Sequence, residues 1–272
     1  MNRKLIIISN DGGKEEFLPG VKVDVQNYIN YFTSSEGGAW DYHSEMKVPE
    51  TGKFTPTMLK FYMKEEERKQ HVDFWLIVFT GHGEATPQGE SYFYFTNQHI
   101  CYESQIIQAT RNSRCLLIVD SCRSLPKYEE DSVIQRTVYF CESQDSNKLY
   151  RIICRNEYNE LVSRVPVGSI QKGYATQFTK TAGEHEDGTG GYYSLSLLKT
   201  AYAEIDKAHE TRRLSPKTFN GDNASFSWVH TQAKDKVVFL TDGNQIPVLY
   251  SSRTCQFPFY VVPDLSKYSI FK

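Results

Sequence analysis

Two uninterrupted apolar runs constrain this chain more than anything else in its sequence. They are Phe74-Trp75-Leu76-Ile77-Val78-Phe79 and Cys115-Leu116-Leu117-Ile118-Val119. Runs of this length and composition suit strands buried on both faces, as in a parallel sheet covered by helices. Each run ends in polar residues: Thr80-Gly81-His82-Gly83 after the first, Asp120-Ser121-Cys122-Arg123-Ser124 after the second. Catalytic groups in such sheets collect just beyond the carboxyl ends of the strands. A His past one strand end and a Cys past another therefore form a candidate base–nucleophile pair. Each residue alone also has a plainer reading, the His as a solvated turn residue and the Cys as an inert buried thiol.

The surrounding pattern supports a parallel sheet. Leu5 to Ser9 predicts a first strand, and Asn10 to Gly20 a turn-rich loop. Apolar positions recur at helical spacing from Val21 to Phe32. Thr55-Pro56 opens a second helix carrying Met58, Leu59, Tyr62 and Met63 on one face. Tyr92 to Phe95 reads as a hairpin arm and Tyr102 to Arg111 as a third helix. The order β-α-(α)-β-α-β is that of an α/β fold. Beyond Cys122 the chain turns polar, with charges from Lys127 to Asp131. Short strands are predicted at Val138–Phe140 and Leu149–Cys154, a helix at Glu157–Arg164, and a strand at Ser169–Thr176. A helix at Tyr192–Ile205 and a strand at Val237–Leu240 complete the pattern, with no internal repeat.

Bulk properties exclude several function classes. A formal net charge of -2 gives no reason to expect a nucleic-acid partner. Eighteen Tyr and 16 Phe speak for a packed core and against disorder. No apolar run approaches the roughly 20 residues of a membrane span. Met1 to Ser9 is too short for a secretory leader and reads as the first strand. Six Cys occur without a CxxC pair, so zinc and disulfide frameworks are not expected and a reduced, cytoplasmic setting is. The glycine clusters do not fit a phosphate-binding loop, and no cofactor is expected.

Several motifs in chain order resemble the caspase-like family of cysteine peptidases, in particular its bacterial, metacaspase-type branch. Leu18-Pro19-Gly20 with Asp24-Val25 resembles the first βα segment. Thr80-Gly81-His82-Gly83 and Asp120-Ser121-Cys122-Arg123-Ser124 resemble the histidine and nucleophile motifs. Ala175-Thr176, Thr181-Ala182-Gly183-Glu184 and Gly190-Gly191-Tyr192-Tyr193-Ser194 resemble the small-subunit strand, loop and helix start. Gln245-Ile246-Pro247 and Phe257-Pro258-Phe259 resemble the C-terminal end. The resemblance implies one caspase-like domain over residues 1–272, with a mostly parallel six-stranded sheet and helices on both faces. It divides into a large-subunit-like part (1–125), a linker-like region (126–168) and a small-subunit-like part (169–272).

The resemblance also implies roles. Cys122 is the expected nucleophile and His82 the base that later protonates the leaving amine. Gly83 and Cys122 are expected to supply the backbone N–H groups of an oxyanion hole. Asp24 and Asp120 match aspartates that hold a basic P1 side chain, and Thr80 matches a hydroxyl lining the same pocket. Leu18, Asp120 and Glu184 stand near positions where aspartate-specific relatives carry Arg, Gln and Arg. Carboxylates attract Arg or Lys and repel a third carboxylate, so cleavage after Arg, or Lys, is expected rather than after Asp. Glu84 to Arg114 contains no Asp, so a family-type calcium site is not expected. Basic residues at Lys127, Arg136, Lys148, Arg151, Arg155 and Arg164 read equally as self-processing sites and as surface charges. The implied partners are a protein substrate and an activating or regulatory protein. Two other readings are an inactive caspase-like binding module and a small-molecule thiol hydrolase.

Overall fold

The two apolar runs are neighbouring strands at the centre of one sheet. The computed structural model describes residues 1–13, 17–122, 148–185, 188–215, 219–252 and 255–268. In chain order the elements are β1 (Arg3–Asn10), α1 (Gly20–Thr33), β2 (Met46–Lys47), α2 (Pro56–Lys69), β3 (Phe74–Gly81), β4 (Gly83–Ala85), β5 (Ser91–Thr96), β6 (His99–Tyr102), α3 (Glu103–Thr110), β7 (Arg114–Asp120), α4 (Lys148–Arg164), β8 (Ile170–Tyr174), α5 (Tyr192–Leu214), β9 (Asp222–Ser225), α6 (Phe226–Leu240), β10 (Val248–Ser251) and β11 (Pro258–Val262). The main sheet has six strands in the order β10-β8-β7-β3-β1-β2. All neighbouring pairs are parallel except β10 with β8. This is the expected α/β architecture.

Strand alternation splits each apolar run between two cores. Leu5 and Ile7, Phe74, Leu76 and Val78, and Leu116 and Ile118 face α1, α4, α5 and α6, where they meet Tyr28, Phe32, Tyr158, Leu197 and Val229. Ile6 and Ile8, Trp75, Ile77 and Phe79, and Leu117 and Val119 face Leu59 and Met63 of α2, Ile106 of α3, and Phe93 and Phe95 of β5. Every one of these strand side chains is essentially inaccessible to solvent. Helices therefore cover both faces, and an uninterrupted apolar run is what such a strand requires. β4, β5 and β6 form a separate small antiparallel sheet on the α2/α3 side.

Two predicted strands are helical. Leu149 to Cys154 belongs to α4, which begins at Lys148 rather than near Glu157. Its buried residues Tyr150, Cys154, Tyr158 and Val162 fall at steps of four, a helical period that a six-residue apolar run is too short to reveal. Val237 to Leu240 is the last turn of α6, whose buried positions Phe226, Val229, Ala233 and Val237 again follow helical spacing. Phe239 and Leu240 point to solvent. The prediction for Val138–Phe140 lies outside the described residues, as do Lys127 and Arg136. Arg151 and Arg155 are bound to the body of the molecule, Arg151 to the Trp40 carbonyl at 2.9 Å and Arg155 to Glu45 at 2.6 Å.

Candidate active site

The register of β3 and β7 assembles the site. Thr80 lies opposite Asp120 across the two strands. His82 and Cys122 each follow two residues later, so the parallel register carries them out of the sheet side by side. Gly83 presses its backbone on the Cys122 segment. A β-carbon there would lie 2.5 Å from Ser121 Oγ and 3.2 Å from the Cys122 carbonyl oxygen, so only glycine fits. The His82 carbonyl accepts a hydrogen bond from Tyr94 N–H at 3.0 Å, which ties the histidine to the small sheet.

The thiol is held by the loop that follows β8. Ala182 N–H donates to Cys122 Sγ at 3.3 Å, and the thiol lies 3.5 Å from the Ala182 carbonyl oxygen. Burial pushes the Cys122 thiol up, the Ala182 N–H opposes this, and the charges of Asp120 and Glu84 add to it. The resting group is therefore a protonated thiol that needs a base to become nucleophilic. Gln245 clasps the loop at both ends. Its Nε2 donates to the Ala175 carbonyl at 3.1 Å, and its Oε1 accepts from Gly183 N–H at 2.8 Å.

Alternation continues past the apolar runs and turns Thr80 and Asp120 toward α1 and α5, the side occupied by Leu76, Val78 and Ile118. Thr80 Oγ1 donates to Asp24 Oδ2 at 3.1 Å. Gly191 N–H donates to Asp24 at 3.1 Å, and Ser194 N–H donates to Asp120 Oδ2 at 2.9 Å. β-carbons at Gly190 and Gly191 would lie 2.4 Å from Asp24 Oδ1 and Asp120 Oδ2 respectively. The glycine pair therefore lets the start of α5 close over both carboxylates. Glu184 joins them: its Oε2 accepts from Gly20 N–H at 3.1 Å, at the first turn of α1. Two helix N-termini thus converge on three acids, a favourable end for negative charge.

The acids nonetheless burden one another. Burial and the neighbouring Asp120 push Asp24 well above the usual carboxylate range; burial also raises Asp120, against the opposing hydrogen bonds from Ser194. Burial, opposed by the Gly20 N–H and reinforced by Asp120, brings Glu184 up to about 7. Among the described residues no Lys or Arg forms an ion pair with any of the three. The cluster suits an incoming cation, which would relieve the mutual repulsion. The structure joins Asp24 to Thr80 by a hydrogen bond, sets Asp120 beside Asp24, packs Gly83 on the Cys122 segment, and carries His82 and Cys122 past adjacent strand ends. It adds Glu184 and Gln245. The sequence reading marked Glu184 only as a missing arginine and Gln245 only as part of a C-terminal motif. Among the described residues no group of three or more His, Cys, Asp or Glu is arranged to hold a metal ion.

A parallel sheet that carries a Cys and a His past adjacent central strands defines a cysteine peptidase architecture of the caspase type. The caspase-domain peptidase family matches residues 2–258, and the chain belongs to it. Among solved structures, caspase-1 from Spodoptera frugiperda superposes with a TM-score of 0.55 at 12% identity, covering 94% of this chain and 88% of that one. At that identity the likeness concerns the fold. No curated protein sequence matches the chain. Among the described residues no helix is long and apolar enough to cross a membrane.

Proposed function

We propose that this chain is an endopeptidase that cleaves proteins after arginine, or lysine, with Cys122 as nucleophile and His82 as acid–base. His82 takes the Cys122 Sγ proton as the sulfur attacks the scissile carbonyl, and returns it to the departing amine. The backbone N–H groups of Gly83 and Cys122 hold the oxyanion; losing such a donor typically costs about 3 kcal/mol of barrier. Water then hydrolyses the thioester, with His82 again moving the proton. The observation that supports the specificity is the cluster of buried Asp24 and Asp120 with half-buried Glu184, which has no cationic partner among the described residues. A P1 guanidinium favours the ionised forms of these acids and relieves their mutual repulsion; a P1 carboxylate adds to it. By analogy with its branch, the natural substrate is a protein switched on by cleavage in regulated proteolysis or bacterial defence.

One observation favours a second reading, an inactive binding module: the Cys122 thiol is bonded to Ala182 and its ionisation is disfavoured. Iodoacetamide labelling and fluorogenic peptides ending in Arg, Lys or Asp separate the two. The peptidase reading expects Cys122 to be the alkylated site and Cys122→Ala to abolish hydrolysis. It expects Arg to exceed Asp by on the order of 100-fold in kcat/KM. A wild-type protein that hydrolyses none of these peptides defeats it, and a preference for Asp defeats the pocket assignment.

A further inference from the structure

The small sheet on the α2/α3 side carries an acidic, tyrosine-rich surface that the proposed chemistry does not use. In β5 the burial alternates: Ser91, Phe93 and Phe95 point inward, while Tyr92, Tyr94 and Thr96 are half-buried on the outer face. Glu84 of β4 shares that outer face, between the buried Gly83 and Ala85. Register sets Glu84 opposite Tyr92, and Tyr92 opposite Tyr102 of β6, in one row across three strands. The Tyr92 ring centroid is 5.8 Å from that of Tyr94 and 5.8 Å from that of Tyr102. Both the Tyr92 and Tyr94 hydroxyls donate to the Glu84 carboxylate, Tyr94 at 3.0 Å.

A half-buried carboxylate among tyrosines attracts an ammonium or guanidinium group through its charge, and nearby aromatic surface can add to that attraction. The two tyrosine hydroxyls fix Glu84 in place and occupy only part of its accepting capacity. Glu84 is also close enough to the reacting sulfur for its charge to disfavour the Cys122 thiolate. A cation seated on Glu84 therefore removes a charge that opposes the nucleophile.

The order of the strands says which part of a substrate arrives there. β8, β7 and β3 are consecutive in the sheet, with Cys122 leaving β7 and His82 leaving β3. The loop after β8, with Ala182 and Glu184, flanks the cysteine. β4, the continuation of β3, flanks the histidine. The acyl half of a cleaved peptide stays with Cys122, and the amine half departs past His82, the group that protonates it. Residues after the cut therefore leave over β4 and β5.

We propose that Glu84, with Tyr92, Tyr94 and Tyr102, binds a lysine or arginine at one of the first two positions after the cut, so that the preferred substrate is a run of basic residues cleaved within it. This rests on the peptidase reading above and concerns the opposite side of the scissile bond. The test is a matrix of internally quenched peptides with Arg or Asp before the cut, crossed with Lys, Ala or Glu at the two positions after it. Binding of the same peptides to Cys122→Ala, followed by fluorescence anisotropy, gives a readout independent of turnover. Lys is expected to exceed Glu after the cut by roughly tenfold in kcat/KM and in affinity. In Glu84→Gln that ratio is expected to fall below about twofold, and in Tyr102→Ala to fall part-way. Because each ratio is taken within one variant, a change in overall rate does not disturb it. Equal use of Lys and Glu, or a ratio that survives in Glu84→Gln, overturns the proposal. The Arg-against-Asp comparison at fixed following residues reports separately on the Asp24/Asp120/Glu184 pocket, so either assignment can fail while the other stands.

Discussion

At the scale of single residues, Glu184 is the most informative group in the molecule. It caps the first turn of α1 through Gly20, and it sits against Asp120 with its carboxyl brought up to about 7 from an ordinary 4.5. Between those two values the unfolded chain has lost a proton that the folded chain keeps. The stability that Glu184 contributes therefore falls as pH rises through that window. A bound guanidinium reverses the preference by favouring the ionised acid. Arginine amide should accordingly raise the Tm of Cys122→Ala more at pH 8 than at pH 6, and Glu184→Gln should narrow that difference. Differential scanning fluorimetry at the two pH values checks it; an equal shift at both would separate Glu184 from the cation site.

At the scale of elements, what could be read from the sequence depended on range. The buried strands β1, β3 and β7 announce themselves because a strand covered on both sides has no polar position to lose. α2 announces itself through Thr55, which caps it by accepting from Met58 N–H at 3.2 Å, and through Pro56. α4 and the end of α6 misled because the mostly apolar Leu149–Cys154 and the apolar Val237–Leu240 extend over less than two turns, where helix and strand look alike. His82 and Cys122 stand out because each follows the polar end of an apolar strand, whereas Asp24, Asp120 and Thr80 stand out only through the resemblance to the caspase-like family. The work of Gln245 was not legible, since its partners Ala175 and Gly183 lie far back in the chain and only the fold brings them near. Its clasp predicts an outcome. Gln245→Ala leaves the Ala175 carbonyl and Gly183 N–H without their partner and should cost about 1–3 kcal/mol in denaturant unfolding. It should also lower kcat/KM on Arg peptides, because the loop that touches Cys122 Sγ loses its anchor. Lost stability with unchanged kinetics would reduce Gln245 to a structural role.

At the scale of the whole molecule, one buried ionic knot joins the N-terminal strand to the second half of the chain. Arg3, 1% exposed, lies 4.3 Å from the Trp40 ring centroid and donates from Nε to Glu45 at 3.1 Å. Arg155 of α4 reaches the same carboxylate at 2.6 Å. Removing the shared acid strands a buried guanidinium. Glu45→Ala is therefore expected to cost on the order of 3–5 kcal/mol, read as a shift of the denaturation midpoint. A loss below about 1 kcal/mol would mean that water or the acceptors Arg3 already has, Asn159 and the Gly38 and Ala39 carbonyls, suffice to hold its charge.

The three clustered acids come from widely separated stretches of chain, and that has a consequence for how the proposed site is assembled. When a ribosome has released Cys122, the strands that carry the proposed dyad already exist, but Ala182, Glu184 and the Gly190-Gly191 turn do not. At about 5–20 residues per second they follow several seconds later. Until then the nascent chain has a sulfur and an imidazole but no completed seat for a substrate's arginine. On the proposed reading, order of synthesis withholds specific cutting until the last third of the protein has emerged and docked.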